Sequence, residues 1–213
     1  MFNSKSYALM VIVPAFLLVI MAGTPAQAAD NDHKVVIGLG IGGHSFSTTD
    51  EVRDGGVFTP DLNGGLVSDF LVEWYFLGNF GIGYRSVSIA TGRVYTFGPV
   101  SVTENINYSA GLITANWIPF TTSDKYVRYG LLGGIGGSSM SRTWSDGSNS
   151  VSNDTSGSAS LFGGFIDWGA EGFGARFGFN SLKTSLDPFK EGAATYEVDG
   201  SGSHWYFDLR WAF

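Results

Sequence analysis

The residues of this chain that could perform covalent catalysis are a few histidines with serines beside them. The three histidines are His33, His44 and His204. Ser45 and Ser203 neighbour two of them, and Asp50 follows the first pair. A serine nucleophile requires a histidine base that is oriented by a carboxylate. Serine is common throughout these segments, so its proximity to histidine carries little information, and we predict that the chain is not an enzyme.

Metal and cofactor chemistry has little basis in the sequence. Cysteine is absent, so the chain has no thiolate ligand and no disulfide. Two acidic segments hold oxygen ligands of the kind that suits Ca²⁺ or Mg²⁺, but neither has the spacing of an EF-hand loop. The formal net charge is −7, which gives no electrostatic reason to bind nucleic acid. We therefore predict no cofactor, no metal and no nucleic-acid partner.

Eight charged residues form a different candidate site, because they interrupt segments that are otherwise apolar. They are Asp69, Glu73, Arg85, Arg128, Asp167, Arg176, Asp208 and Arg210. Four are acidic and four are basic, so the set is neutral. If the fold encloses them, two interpretations stay open. One is a salt-bridged plug, which requires each buried ion to be paired; the other is the lining of a narrow channel or gate. Interior glycines would make room for the arginines.

The segments that position these charges alternate large apolar residues with small or polar ones, which is the period of a β-strand. The clearest runs from Trp205 to Phe213, where one face is wholly apolar and the other carries Asp208 and Arg210. Seven similar segments precede it, bounded by the apolar residues Val35–Ile41, Phe70–Trp74, Phe80–Tyr84, Tyr108–Thr114, Val127–Ile135, Phe162–Trp168 and Phe173–Phe179. In the fourth, the alternation assigns Tyr108, Ala110 and Leu112 to the apolar face.

The connections between the eight segments alternate in length. Three are short, namely Leu77–Asn79, Ile118–Lys125 and Gly169–Gly172. Four are longer and polar, namely His44–Val67, Ala90–Thr103, Gly137–Ser158 and Ser181–Ser203. An antiparallel meander with short periplasmic turns and long external loops has this pattern. The third long connection is rich in Ser, Gly and Asn, so we expect it to be mobile.

The charge pattern favours a membrane barrel over a soluble one. In the predicted registers all eight charges lie opposite the large apolar face. An arginine that faced lipid at mid-membrane would cost about 2–4 kcal/mol, whereas a soluble barrel would have to bury these charges in its core. A closed barrel is favoured as well, because an open sheet edge in lipid leaves backbone groups without hydrogen bonds.

Tryptophan placement supports the same orientation. Four tryptophans lie beside a predicted periplasmic turn or the C-terminus: Trp74, Trp117, Trp168 and Trp211. Aromatic rings collect at the membrane interface, where one side of the ring is wet and the other apolar. We therefore predict an aromatic girdle at this end of the barrel.

The first 29 residues have the pattern of a secretory signal peptide. Lys5 precedes an apolar stretch from Ala8 to Ala22, and the small-residue site Ala26-Gln27-Ala28 follows. The apolar stretch is shorter than the ~20 residues that a membrane-spanning helix needs. We predict cleavage after Ala28 or Ala29, which leaves residues 30–213 as the barrel domain.

The chain after residue 29 resembles the small eight-stranded outer-membrane proteins, a group that includes the OmpX/Ail, OmpW and OmpA transmembrane-domain families. The closing segment H-W-Y-F-D-L-R-W-A-F is similar to their terminal assembly signal. The resemblance implies that the outer-membrane assembly machinery reads Trp205, Phe207, Leu209, Trp211 and Phe213. Some barrels of this class modify lipid A, but the sequence around His44 and His204 does not match their H-x-S pattern.

The sequence therefore predicts an all-β, eight-stranded antiparallel up-and-down transmembrane β-barrel in the bacterial outer membrane. We expect a monomer that contacts outer-membrane lipid and lipopolysaccharide. The first external loop carries Asp50, Glu51, Asp54 and Asp61, and the fourth carries Asp187, Glu191, Glu197 and Asp199. Such charge runs are common on solvated loops, or they could bridge cations to lipopolysaccharide phosphates or bind a host, phage or other surface ligand. The favoured function is structural or surface-interacting, with a narrow channel for small or hydrophobic solutes second and a lipid A-modifying enzyme third.

Overall fold

The structure, a computed structural model, describes residues 34–46, 51–53, 56–58, 64–76, 79–97, 99–122, 126–169, 172–191, 194–197 and 199–213. None of these segments forms a helix that is long and apolar enough to cross a membrane. They form twelve strands: β1 (Lys34–Phe46), β2 (Glu51–Arg53), β3 (Gly56–Phe58), β4 (Gly65–Tyr75), β5 (Phe80–Phe97), β6 (Val100–Thr121), β7 (Val127–Ser145), β8 (Ser150–Gly169), β9 (Phe173–Leu186), β10 (Phe189–Glu191), β11 (Ala194–Glu197) and β12 (Gly202–Ala212). The predicted signal peptide lies outside the described residues and stays a prediction.

Eight of the strands close into an antiparallel barrel. Their order around the ring is β1-β12-β9-β8-β7-β6-β5-β4, so each strand pairs with its neighbours in sequence and β1 closes on β12. The short strands β2, β3, β10 and β11, which belong to the first and fourth external connections, form a separate four-stranded sheet. The predicted up-and-down barrel of eight strands is confirmed.

The pairing register fixes the tilt of the strands and the width of the barrel. The paired residues can be followed once around the ring, from Phe46 through Gly202, Leu182, Leu161, Gly134, Thr114, Gly83 and Glu73 back to β1 at Val36. The path returns to β1 ten residues before its starting point, so the barrel has a shear number of ten. A stagger of this size in eight strands goes with a tilt of about 35–45° and an interior that side chains can fill.

The outer surface of the barrel carries large apolar side chains in contact with the surroundings. Ile41, Ile113, Ile135 and Phe162 are each at least 64% exposed. The inner face holds acids and arginines instead. A soluble protein does not leave so large an apolar belt in water, whereas a membrane barrel places it against lipid. The inverted pattern that the sequence predicted is therefore present.

The fourth barrel strand has the opposite register from the predicted one. Tyr108 and Leu112 of β6 face the interior and are at most 2% exposed, whereas Ile113 and Trp117 face outward and are 64% and 44% exposed. The prediction was wrong because β6 carries no charge near its middle that would reveal the inner face, and its inner neighbours in this part of the barrel are themselves apolar.

Two of the predicted long loops are in fact strand. β5 to β8 contain 18, 22, 19 and 20 residues, whereas about 9–11 tilted residues suffice to cross the membrane. The hairpins therefore continue about ten residues beyond the external rim, roughly 30 Å along each strand. Gly137 to Ser158, predicted to be a mobile loop, form a ladder that turns only at Asp146–Asn149. We call this part of β5–β8 the external wall.

Candidate functional site

The barrel interior is the candidate site, because the register turns all eight predicted charges toward it. Asp69, Glu73, Arg85, Asp167, Arg176, Asp208 and Arg210 are each at most 5% exposed. Arg128, near the periplasmic end of β7, is less enclosed, with 32% of its side chain exposed. Six barrel strands contribute these residues, so the ion pairs connect the wall across the lumen.

Arg176 of β9 is the centre of the periplasmic half of this network. Its Nη1 and Nη2 donate to Glu73 Oε1 and Oε2 at 2.6 and 3.0 Å, and its Nε donates to Asp167 Oδ1 at 2.7 Å. Nη2 also donates to the Tyr75 hydroxyl at 3.0 Å, and the guanidinium carbon lies 3.7 Å from the centre of the Phe165 ring. Each nitrogen of this guanidinium therefore donates to a carboxylate or a hydroxyl, and one of its faces lies against an aromatic ring.

Arg210 and Arg128 supply further positive charge to the same two buried carboxylates. Arg210 forms ion pairs with Asp167 and, at 3.3 Å, with Glu73. Arg128 lies 3.6 Å from Asp167. Glu73 and Asp167 each face more than one guanidinium, which offsets the cost of burying them.

A second group of ions lies nearer the external end. Arg85 of β5 pairs with Asp69 of β4, and its Nη2 lies 3.7 Å from Asp208 Oδ2 on β12. The guanidinium carbon of Arg85 lies 3.8 Å from the centre of the Tyr206 ring. Two carboxylates share one cation, so this group carries a formal charge of −1.

Interior glycines make room for large neighbours, although not for the arginines as predicted. A Cβ atom at Gly40 would overlap the Asp208 carboxylate, one at Gly178 the Tyr206 ring, and one at Gly130 the Phe165 ring. At Gly38 and Gly81 the nearest atoms belong to Leu71 and Tyr75. The absent side chains thus admit rings and a carboxylate that fill the lumen.

An apolar layer fills the interior on the external side of the ions. Val67, Ile89, Leu112, Leu161 and Leu182 point inward and are at most 3% exposed. This layer was not predicted, because large apolar residues were expected to face lipid. Apolar residues lie outside and polar residues inside where charges mark the inner face, but not at levels where the interior is also apolar.

A further ionic cluster lies in the external wall and was not among the predicted residues. Glu104 of β6 is fully buried between Arg93 of β5 and Arg142 of β7, with ion pairs to both. The Tyr95 and Trp144 rings stack beside it with centres 5.6 Å apart. Burial and Glu104 raise the pKa of Tyr95 to about 12. On β7, Arg142 and Trp144 alternate with Ser141, Thr143 and Ser145, a period-2 signal that was overlooked when this segment was interpreted as a loop.

In the described part of the chain, the histidines and the serines beside them lie on opposite strand faces. His44 and His204 point into the barrel and are at most 4% exposed, whereas the adjacent residues Ser45 and Ser203 belong to the outer face. His33 and Asp50 lie outside the described residues. Among the described residues, no three His, Cys, Asp or Glu side chains are grouped so that they could hold a metal ion.

The predicted aromatic residues lie at the end of the barrel where β1 begins and β12 ends. Trp74, Trp117, Trp168 and Trp211 pair with the rings of Phe76, Phe80, Phe207 and Phe173, respectively, with centres 5.5–6.2 Å apart. In the closing strand, Trp205, Phe207, Leu209, Trp211 and Phe213 share the outer face. Two backbone hydrogen bonds join Phe213 to Val35 and close the seam.

The acidic external segments are only partly described. Asp50, Asp54 and Asp61 lie outside the described residues, and the side chains of Glu51, Glu191 and Glu197 are not described. Asp199 accepts a hydrogen bond from the Ser201 backbone N–H at 2.8 Å and one from the Thr184 hydroxyl at 3.2 Å. This carboxylate therefore organises the end of the fourth loop.

Comparison with solved structures supports the fold. No protein-family model matches the chain, and no curated protein matches it. Among the solved structures that share the fold are two bacterial outer-membrane proteins. Ail of Yersinia pestis, in complex with the heparin analogue sucrose octasulfate, has a TM-score of 0.51 and 12% identity over 85% of this chain and 99% of that one. The outer membrane protein OprG from Pseudomonas aeruginosa has a TM-score of 0.52 and 11% identity over 86% and 96%.

These likenesses and the inverted surface define an eight-stranded β-barrel of the kind found in the bacterial outer membrane. The predicted fold class and the predicted location agree with them.

Proposed function

We propose that the chain is a structural, non-enzymatic outer-membrane barrel that does not conduct ions and that acts through its external wall. The observation that carries the first part is the low exposure of the interior ions, seven of which are at most 5% accessible. Residues that line a water-filled pore would be wet. The apolar layer above them adds a second obstacle to ion passage.

Reconstitution into planar lipid bilayers tests the closed lumen. We expect no stable unitary conductance from the native barrel over the usual voltage range. A doubly substituted barrel, Arg176→Ala with Tyr206→Ala, removes one obstacle at each of two levels and serves as the comparison. Stable unitary steps from the native protein that change with Arg128→Ala or Asp208→Ala would overturn the proposal and favour the narrow channel.

The outer face of the external wall supports a role at the lipopolysaccharide layer. Above the apolar belt this face bears small hydroxyl side chains, among them Ser109, Ser139, Ser141, Thr143, Ser152, Ser156, Ser158 and Ser160. Ser109 and Ser139 are hydrogen-bonded at 2.8 Å, and Thr143 and Ser152 at 3.1 Å. The strands carry this face directly above the lipid-facing belt, where lipopolysaccharide sugars lie. We propose that the saccharides are its partner.

Heat-modified gel migration measures this interaction. The native barrel should unfold at a higher temperature in lipopolysaccharide bilayers than in phospholipid bilayers of equal thickness. The variant Ser139→Asp/Ser158→Asp should lose that difference, because the added charges oppose the phosphates of the same layer. An equal unfolding temperature of the native barrel in both bilayers contradicts the proposal.

The ligand in the Ail structure is a polyanion, and that part of the likeness does not extend to this chain. The external loops here are predominantly acidic and would repel a polyanion. Lipid A mass spectra from cells with and without the protein test the enzymatic alternative, and a changed acyl pattern would refute the non-enzymatic proposal.

A further inference from the structure

Three polar side chains lie in a row across adjacent strands near the external end of the lumen. His44 of β1 is the register partner of His204 on β12, and His204 is the register partner of Asn180 on β9. All three point inward and are at most 4% exposed. Directly opposed residues in an antiparallel pair have their Cβ atoms about 4.5–5.5 Å apart, so the backbone itself brings the two imidazoles together.

The ring nitrogens of this row lack the hydrogen bonds that buried polar atoms normally make. Within the described residues, Nδ1 of His204 has no hydrogen-bond partner. The His44 ring forms one hydrogen bond with a backbone group of Gly200, which leaves its other nitrogen without a partner. Nε2 of His204 lies 3.2 Å from the Asn180 side-chain amide. Leaving such atoms unsatisfied costs about 1–3 kcal/mol each, so the row calls for a ligand.

Glycines next to the row leave space that a larger side chain would fill. A Cβ atom at Gly163 would overlap Asn180 Oδ1, and one at Gly202 would lie 2.6 Å from His44 Nε2. The two imidazole centres are 6.2 Å apart. A Zn–N bond of about 2.0–2.1 Å places each ring centre roughly 3 Å from an ion. One ion therefore fits between the two rings.

The ions nearest the row carry both signs. Asp69, Asp208 and Arg85 form the adjacent group, in which two carboxylates lie around one guanidinium. Arg85 is the ion that acts on His204, and the two carboxylates offset its positive charge. The proposal therefore rests on the ring nitrogens and their spacing, and not on a negative field.

A cavity lies beside the row at the external rim. It has a volume of about 670 Å³ and is lined in part by Phe46, Leu182, Gly202 and Ser203. The Phe46 ring contacts His44 edge-on with centres 4.5 Å apart, and Gly202 borders His44 Nε2. These two lining residues separate the cavity from His44.

We propose that His44 and His204 bind one divalent transition-metal ion, and that Asn180 positions His204 for this. Imidazole without thiolate suits Zn²⁺, Cu²⁺ and Ni²⁺. Nδ1 of His204 is the ligand atom. The Asn180 amide, turned so that its oxygen faces Nε2, accepts the Nε2–H and fixes the ring, as second-sphere carbonyl oxygens do at metal sites. Two imidazoles leave the remaining positions of the ion to water.

Copper titration of the refolded, tag-free barrel in detergent tests this assignment. We expect one Cu²⁺ per chain, with an electron paramagnetic resonance spectrum that shows two equatorial nitrogens, and competition by one Zn²⁺. His44→Gln and His204→Gln should each weaken binding at least 100-fold and leave one nitrogen or none. Heat-modified gel migration verifies that each variant has folded.

Asn180 and His33 supply the discriminating variants. Asn180→Leu should weaken binding about 10-fold, and Asn180→Asp should strengthen it, because a carboxylate is a better acceptor for the ligand's N–H. His33→Gln should leave affinity and spectrum unchanged. The proposal is overturned if the native barrel binds no ion, if binding survives in both His44→Gln and His204→Gln, or if His33→Gln abolishes it.

Discussion

Arg176 and Glu73 form a two-armed ion pair across the lumen, with Nη1–Oε1 and Nη2–Oε2 distances of 2.6 and 3.0 Å. Their strands, β9 and β4, are not neighbours, because β12 and β1 lie between them in the ring. The pair therefore ties opposite parts of the wall together, and Asp167 extends it to β8. A single guanidinium thus binds two buried carboxylates from two strands.

Replacement of Arg176 should destabilise the barrel strongly. In Arg176→Met, Glu73 and Asp167 keep Arg210 but lose their best-aligned donor, and removal of one partner of a buried pair costs about 3–5 kcal/mol. Urea unfolding in lipid vesicles, followed by tryptophan fluorescence and gel migration, measures the change. The matched control is Arg128→Met. Its side chain is 32% exposed and lies 3.6 Å from Asp167, so a loss of at most about 1 kcal/mol is expected. Equal effects of the two changes would refute the central role of Arg176.

Close packing of glycine against a ring gives a second prediction. A methyl group at Gly178 would overlap the Tyr206 ring, so Gly178→Ala should lower the free energy of unfolding by about 1–3 kcal/mol. Tyr206→Leu in the same chain should recover part of the loss. At Gly133, by contrast, the nearest atom to an added Cβ is 3.9 Å away, and Gly133→Ala should change stability by less than about 0.5 kcal/mol. The same urea assay compares the three variants, and a neutral Gly178→Ala would show that the ring moves freely.

The barrel strands were predictable where charges mark the inner face. Asp69, Arg85, Asp167, Arg176 and Asp208 each distinguish the inside of their strand from the lipid side, since an ion in lipid is expensive. β6 has no such marker, and Leu112 and Ile113 are equally apolar, so the alternation alone gave the wrong register. The sequence also names the partners of an ion pair only as a set, because which acid meets which arginine depends on stagger and tilt.

Lipid accessibility at two adjacent residues tests the β6 register. Ile113→Cys should place a spin label in lipid, where oxygen relaxes it strongly, whereas Leu112→Cys should place the label inside the barrel, where oxygen has little access. Alternating faces along a strand require this contrast. Power-saturation electron paramagnetic resonance in vesicles measures it. Strong oxygen relaxation at residue 112 and weak relaxation at residue 113 would restore the register expected from sequence.

The external wall could not be predicted from composition. Serine and glycine are typical of loops, yet Ser138–Ser145 and Ser150–Ser158 pair as strands because their alternate residues pack inward around Glu104 and Arg142. Long-range packing decides between loop and strand here, and the local propensity of small residues does not. The candidate metal row was hidden for the same reason, since His44, His204 and Asn180 meet only through the closure of β1, β12 and β9.

The turn of the β7–β8 hairpin should depend on pH. Asp146 Oδ1 accepts the backbone N–H groups of Asn149 and Ser148 at 2.6 and 2.9 Å, and these hydrogen bonds lower the pKa of the Asp146 carboxyl below its usual value. A lowered folded-state pKa means that the contribution to stability is present above the unfolded pKa and is lost as the pH falls through the folded one. Hydrogen-exchange protection of the 148 and 149 amides should therefore persist at neutral pH and fall only in strong acid. In Asp146→Ala the two amides should exchange at the intrinsic rates of unprotected amides at every pH, and full protection in that variant would contradict the assignment.

Substitutions at the last residue, Phe213, can distinguish assembly in cells from folding in detergent. Phe213 N–H donates to the Val35 carbonyl at 2.8 Å, and Val35 N–H donates to the Phe213 carbonyl at 3.2 Å, while the Phe213 ring is 54% exposed. Phe213→Ala keeps both backbone bonds and removes only the ring, so we expect normal refolding in detergent but reduced insertion in cells, if the assembly machinery reads the aromatic. Deletion of Phe213 should impair both refolding and insertion.

Phe173→Ala is the matched control, because Phe173 belongs to β9 and lies outside the closing strand. Its ring is 42% exposed and contacts Trp211. Fractionation and heat-modified migration measure insertion, and equal insertion of Phe213→Ala and Phe173→Ala would remove Phe213 from the proposed signal.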